Sequence, residues 1–183
     1  MAVGWIGTGV FGMLLVATPA MAAGLSADPN GCVYVSRSGE VLEARRCVRD
    51  GPRVVPGLVA RLRFERGLGQ VLLRGTGWMY VRRDGRAAVV ETFDNGPDYF
   101  EEGLTRSRIG GRIAYLDRTL RPRIVTEYDW GAPFRQGRAD VCVGCRTERE
   151  GEHWSMVGGK WGVIDRTGWV VVPLTLDRPA DRP

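Results

Sequence analysis

Apolar and polar positions alternate in short runs along this chain, and the runs come in pairs. Residues 161–164 (WGVI) and 169–172 (WVVV) are one such pair, separated by Asp165-Arg166-Thr167-Gly168. A period of two predicts strands. Aspartate opening the step accepts local backbone hydrogen bonds, and glycine closing it tolerates positive φ. The pair therefore predicts a β-hairpin with a type I turn and a glycine bulge. Pro173 is expected to stop its ladder.

The same spelling recurs at residues 33–42, around Ser36-Arg37-Ser38-Gly39, and at 78–90, around Arg83-Asp84-Gly85. Residues 113–125 carry it once more, but Leu120 stands where the turn glycine belongs, so that turn is expected to differ locally. Trp78, Ile113 and Trp161 share one position, with offsets of 35 and 48. At the same offsets Phe93-Asp94, Tyr128-Asp129 and Leu176-Asp177 coincide. A second signature, aromatic-x-x-Gly, lies at Phe64 to Gly67, Phe100 to Gly103 and Phe134 to Gly137. Two signatures in phase predict a repeated unit: aromatic-x-x-Gly, strand, turn, strand, aromatic-Asp.

The predicted fold class is all-β, with tandem β-hairpin repeats over residues 64–177. One hairpin cannot bury its own face, so neighbours must stack, as a curved sheet or as a solenoid-like or partial-propeller array. Residues 24–63 form an N-terminal hairpin unit. The longer second offset implies an inserted loop at 142–157, where a special contact is often made. Residues 178–183 read as a disordered tail.

The order F-x-x-G-x-A-x-V, then G-K-W-G-V-I-D-x-x-G-x-V-V-x-P, resembles the bacterial WG β-repeat family. Among the aligned hairpins only the last spells Trp161-Gly162; the others have Trp78-Met79 and Ile113-Ala114. The insert, C-V-G-C followed by G-E-H, also looks like a feature of exported members. The resemblance implies short β repeats and a binding or scaffolding role. It implies no shared enzymatic activity and no agreed ligand.

Residues 1–23 contain no charged side chain, and Ala20-Met21-Ala22 fits a small-x-small cleavage step. They read as a secretory signal peptide rather than a membrane anchor, which leaves no stable membrane span after cleavage. The formal charge of +5 survives that removal, and Lys160 is the only lysine among 26 basic residues. Arginine excess suits carboxylate or phosphate contacts, although a GC-rich genome produces it equally. No basic run with interleaved aromatics marks a nucleic-acid partner. The expected partner is an envelope protein or an anionic envelope polymer, and the expected location is periplasmic or secreted.

Four cysteines, Cys32, Cys47, Cys142 and Cys145, read as disulfides in an exported chain. The sequence-local pairing is Cys32–Cys47 with Cys142–Cys145. The C-x-x-C pair leaves two further possibilities. A metal knuckle would use Cys142, Cys145 and His153, with Glu152 or Asp140 as fourth ligand. A thiol–disulfide protein would need a helix after Cys145, and residues 146–151 are too short and too glycine-bounded to supply one.

No catalytic constellation is spelled out. The patterns G-x-S-x-G, P-loop and H-E-x-x-H are absent, and His153 is the sole histidine. The recurring Asp94, Asp129 and Asp177 are expected to cap turns, and Glu101-Glu102 to face solvent. Trp161 and Trp169 are expected to pack on the sheet. Trp130 and Trp154 fall in segments that read as loops. Beside Arg135, Arg138 or Arg149 they suit stacking on sugars or cations. The candidate binding residues are therefore Trp130, Arg135, Arg138, His153 and Trp154. The expected function is a non-enzymatic binding or scaffolding module with no cofactor.

Overall fold

The computed structural model describes Met1 and residues 31–49, 51–151 and 153–176. The signal peptide expected at 1–23, the tail at 178–183 and Asp177 lie outside the described residues. The rest is β-structure with a single helical turn. In chain order it comprises β1 (Cys32–Val35), β2 (Val41–Ala44), β3 (Val48–Arg49), β4 (Arg53–Val54), α1 (Pro56–Val59), β5 (Leu68–Leu73), β6 (Gly77–Arg82), β7 (Ala87–Val89), β8 (Thr92–Phe93) and β9 (Gly96–Pro97). Then follow β10 (Leu104–Ile109), β11 (Arg112–Asp117), β12 (Pro122–Val125), β13 (Trp130–Gly131), β14 (Arg138–Val143), β15 (Arg146–Glu150), β16 (His153–Val157), β17 (Lys160–Asp165) and β18 (Val170–Leu176).

All strand pairs are antiparallel, in several small sheets. One has the order β2-β1-β5-β6-β7, a second β10-β11-β12, and a third β13-β14-β17-β18. Three stretches thus follow one plan: β5-β6-β7, β10-β11-β12 and β14-β17-β18 are three-stranded meanders. The sequence pattern predicted two strands per unit. The extra strand is the first. In β10 it reads LTRSRI, where Thr105, Arg106 and Ser107 are polar yet buried, so alternation fails to announce it.

The aromatic-x-x-Gly signature is a two-residue turn with both central residues at positive φ. Arg66 and Gly67 sit at 49° and 85°, Glu102 and Gly103 at 50° and 83°, Gln136 and Gly137 at 51° and 74°. Each is closed by reciprocal backbone bonds, as between Glu101 and Leu104 at 2.9 and 3.0 Å. This is the geometry that matches strand twist in tight hairpins.

The second turn of each unit also recurs. The Asp165 carboxylate accepts from the Thr167 N–H at 2.8 Å, the Thr167 hydroxyl at 2.6 Å and the Trp169 N–H at 3.0 Å. Asp117 accepts from the Thr119 N–H, the Thr119 hydroxyl and the Arg121 N–H in the same way. The turn at Leu120 therefore does not differ, contrary to expectation. Leu120 itself takes φ 59° and is buried with Leu68, Tyr80, Val90 and Leu116. A left-handed leucine costs about 1–2 kcal/mol, and burying its side chain returns about 1.5–3 kcal/mol. Burial wins, so glycine is dispensable there.

The apolar clusters lie between units rather than within them. One joins Cys32, Tyr34, Val54, Leu58 and Leu62 of the N-terminal unit to Val71, Met79, Val81 and Ala87 of the first meander. A second joins Leu68, Tyr80 and Val90 to Leu116 and Leu120 of the second meander. A third joins Leu104, Ile113, Tyr115 and Ile124 to Phe134, Ala139, Val141 and Ile164 of the third.

A buried ion pair pins the middle of this series. Asp98 is 2% exposed and Arg106 7%. Arg106 grips the carboxylate through Nη2 at 2.6 Å, Nε at 3.1 Å and its own backbone N–H at 2.8 Å. The hydroxyls of Tyr80 and Thr105 each donate to the Asp98 carbonyl at 3.0 Å, and Arg106 Nη1 donates to the Gly131 carbonyl at 3.3 Å. Burial, and then the Asp98 charge, push the Tyr80 phenol up to about 12. One pair thus ties the first meander, the second, and the β13 edge of the third sheet.

Two stability outcomes follow, both read by urea unfolding. Asp98→Ala strands a buried guanidinium and is expected to cost about 3–5 kcal/mol, whereas adding Arg106→Leu recovers much of it. A cost below about 1 kcal/mol would contradict this account. At residue 120 the usual order inverts: Leu120→Ala is expected to be more destabilising than Leu120→Gly by about 1 kcal/mol, because alanine keeps the left-handed strain while losing the burial.

Candidate functional site

The third meander departs from the others between its first and second strands. In the first two meanders that connection is Arg74-Gly75-Thr76 or Gly110-Gly111. Here it is a full hairpin, β15 and β16, in the register Arg149↔Trp154 and Arg146↔Val157. The insert expected as a loop at 142–157 is thus a two-stranded ribbon, and its neck runs from Gly144 to Gly159.

The neck is narrow. Cys142 is fully buried in β14 and is disulfide-bonded to Cys145. The second disulfide, Cys32–Cys47, sits in the N-terminal cluster, and no cysteine is free. Asp129 accepts from the Gly144 N–H at 2.6 Å and pairs with Arg112, so this recurring aspartate does bond a turn backbone as expected. Asp94 instead lies in the β8–β9 turn at φ 44°. Gly159 has φ 72°, and a Cβ there would overlap the Cys145 N–H and the Val143 carbonyl, so the two arms of the neck cross in contact.

The Trp161-Gly162 step anchors the neck from below. Trp161 is 4% exposed and donates from Nε1 to the Gly158 carbonyl at 2.7 Å. A Cβ on Gly162 would stand 2.6 Å from the Val172 carbonyl, so glycine lets β18 approach. Trp161 therefore packs as the sequence predicts. Trp169 does not. It follows the bulge at Gly168, which turns its ring outward, and it is 72% exposed.

The five candidate binding residues do not form one site. Trp130 is neither in a loop nor exposed. It is half-buried in β13, opposite Cys142, with its ring edge-on to Trp161 at 5.6 Å between centroids. Arg135 and Arg138 are exposed at the other end of β14, where Arg138 stands opposite Asp165 in the β14–β17 ladder. Five strand steps, about 17 Å, separate that end from the neck. Trp154 is in a strand rather than a loop, and it is 67% exposed. The Arg149 guanidinium, one of the three arginines that the sequence sets beside an exposed tryptophan, lies over its ring at 5.7 Å. His153 opens β16 opposite Glu150, and its side chain lies outside the described residues. Among the described residues no three His, Cys, Asp or Glu side chains cluster as metal ligands.

The turn carboxylates are poor candidates for acid–base work. Burial pushes Asp117 up, but the Thr119 hydroxyl and the Arg121 and Thr119 N–H groups outweigh it and hold the carboxyl below the usual range. The same bonds from Thr167 lower Asp165. Both are hydrogen-bonded anions, whereas a general acid needs a raised value.

A concavity lies far from the ribbon in sequence, in the N-terminal unit. It encloses 370 Å³ and is lined by Arg37, Arg49, Arg53 and Arg83, beside Phe64 and over an apolar floor that includes Val54 and Val59. Arg37 and Arg83 sit in two copies of the recurring turn, and Arg49 and Arg53 belong to no motif. They converge only because the Ser36 turn, the β3–β4 ribbon and the β6–β7 turn meet, and the arginine excess was the sole hint in the sequence.

Compared with family models, curated proteins and solved structures, the chain matches none.

The cysteine chemistry is directly testable. Unreduced protein unfolded in guanidinium is expected to show no maleimide-reactive thiol, and four after reduction. One bound zinc per chain, with two thiols appearing on its removal, would contradict the Cys142–Cys145 bond.

Proposed function

We propose that this chain is an exported, non-catalytic binding module, a tandem array of β units of the WG-repeat kind working at the bacterial envelope. The observation that carries this is the β15–β16 ribbon. Its place is filled elsewhere in the same chain by two or three residues, so the fold does not require it. A two-stranded ribbon has little stability of its own. Here it is stapled at the neck by Cys142–Cys145 and presents Trp154 and Arg149 to solvent. Exposed Trp and Arg are the residues on which binding energy concentrates.

The shared clusters support the repeat array. Each joins neighbouring units only, as expected of an open, solenoid-like stack. The two disulfides support a periplasmic or secreted location. Among the described residues no helix is long and apolar enough to cross a membrane. The partner we favour is an envelope protein or an anionic envelope polymer that meets the Trp154 face.

The test removes the ribbon without disturbing its base. Residues 144–159 are replaced by Gly-Gly, the connection used at Gly110-Gly111, together with Cys142→Ala. A second variant carries Trp154→Ala alone. Affinity capture from envelope extract with the intact chain is expected to recover a partner that the trimmed chain loses. Trp154→Ala is expected to weaken that contact about 30-fold, the effect of losing roughly 2 kcal/mol. Recovery of the same partners by the trimmed chain would contradict the proposal.

A further inference from the structure

We propose that the arginine-lined cleft of the N-terminal unit is a binding site for a small phosphate monoester, independent of the β15–β16 ribbon. Its walls come from separate parts of the chain. Arg37 stands in the Ser36 turn, which is docked by its N–H donating to the Arg61 carbonyl at 2.9 Å. Arg49 and Arg53 face each other directly across the β3–β4 ladder. Arg83 comes from the β6–β7 turn, which is fixed by the Val54 N–H donating to the Gly85 carbonyl at 2.9 Å.

The charge balance points to an anion. Among the described residues Asp84 is the single carboxylate in the lining. It already accepts from the Arg86 N–H at 3.0 Å and pairs with Arg82 at 3.6 Å. Its carboxyl is held below the usual range first by that N–H bond. Arg37, Arg49 and Arg53 have no hydrogen bond or ion pair from their side chains among the described residues. Like charges placed directly opposite on an antiparallel ladder oppose folding. Arg49 and Arg53 are such a pair, and an anion between them would reverse the sign of their contribution.

The shape narrows the ligand. Guanidinium forks match the oxygens of phosphate and carboxylate. Three unpaired forks exceed what one carboxylate can engage, whereas a phosphate monoester offers three terminal oxygens and nearly two charges. The space lies at the small end of ligand sites, which run from about 300 to 1,000 Å³. Its floor is apolar: Val59 is half-buried, Pro56 and Ala60 are exposed, and Phe64 carries the Arg83 guanidinium 4.4 Å from its ring centroid. A compact organic body therefore fits beside the phosphate.

Titration calorimetry at low salt tests this with phenyl phosphate, inorganic phosphate and benzoate. Phenyl phosphate is expected to bind saturably, and at least tenfold more tightly than either of the others. The variant Arg49→Gln/Arg53→Gln is expected to lose at least tenfold in affinity. Arg135→Gln/Arg138→Gln, an equally charged change at a remote exposed site, is expected to lose less than twofold. On the unaltered chain, phenyl phosphate should protect Arg37, Arg49 and Arg53 from phenylglyoxal, read by peptide mass. No saturable binding, benzoate binding as tightly, equal loss in the remote variant, or no protection would each overturn the proposal.

Discussion

A three-stranded meander has an apolar face and nothing within itself to cover it, and the rest of this structure follows from that constraint. The apolar clusters are all shared by successive units. The hydrophobic contribution, about 25 cal/mol per Å² of apolar surface removed from water, is therefore gained at the joints. No meander is self-sufficient, and the geometry of each joint has to be fixed by something more directional than apolar contact.

Two devices supply that direction. One is the corner of each second turn. The backbone at Gly85 packs against the Val54 carbonyl of the preceding unit, and Gly168 packs against Ile124. At the middle joint Leu120 fills the same place with a side chain. The other device is the Asp98–Arg106 pair, whose bonds reach Tyr80 on one side and Gly131 on the other. A buried pair is expensive to desolvate and adds little net stability. Its hydrogen bonds are satisfied in one arrangement, which suits a role in setting the register of neighbouring sheets. Glu102 adds a smaller clamp, accepting from the Gly137 N–H at 3.1 Å and pairing with Arg166 at 3.8 Å, so it is more than a solvated turn face.

Much of this was legible in the sequence because turns are local. The hairpin turns of the units depend on residues within four positions of each other, and their spelling survives repetition. The Trp161 core position was legible for similar reasons. What escaped was non-local. The strand Leu104–Ile109 hides its polar centre by bonding it to other units, so no alternation marks it. Leu120 tolerates positive φ only because a neighbouring unit buries it. The sequence reads Trp130 as a loop residue because its pairing with β14 is non-local, and Trp169 as a core residue because a bulge reverses facing without changing composition. The arginine cleft is not spelled as a unit, since Arg37 and Arg83 belong to two separate turns and Arg49 and Arg53 to no motif. Its members are 12, 4 and 30 positions apart and converge only in the folded chain.

The central claim, that stability resides in the joints and is shared along the chain, is most directly tested by native-state hydrogen exchange across a low-denaturant series. Amides of β5–β6, β10–β11 and β14–β17 are predicted to converge on one opening free energy as denaturant rises, because no unit can open alone without exposing its neighbour's core. The β15–β16 ribbon, outside those cores, is predicted to exchange well before them. Separate opening free energies for the three meanders, each with its own denaturant dependence, would contradict the account.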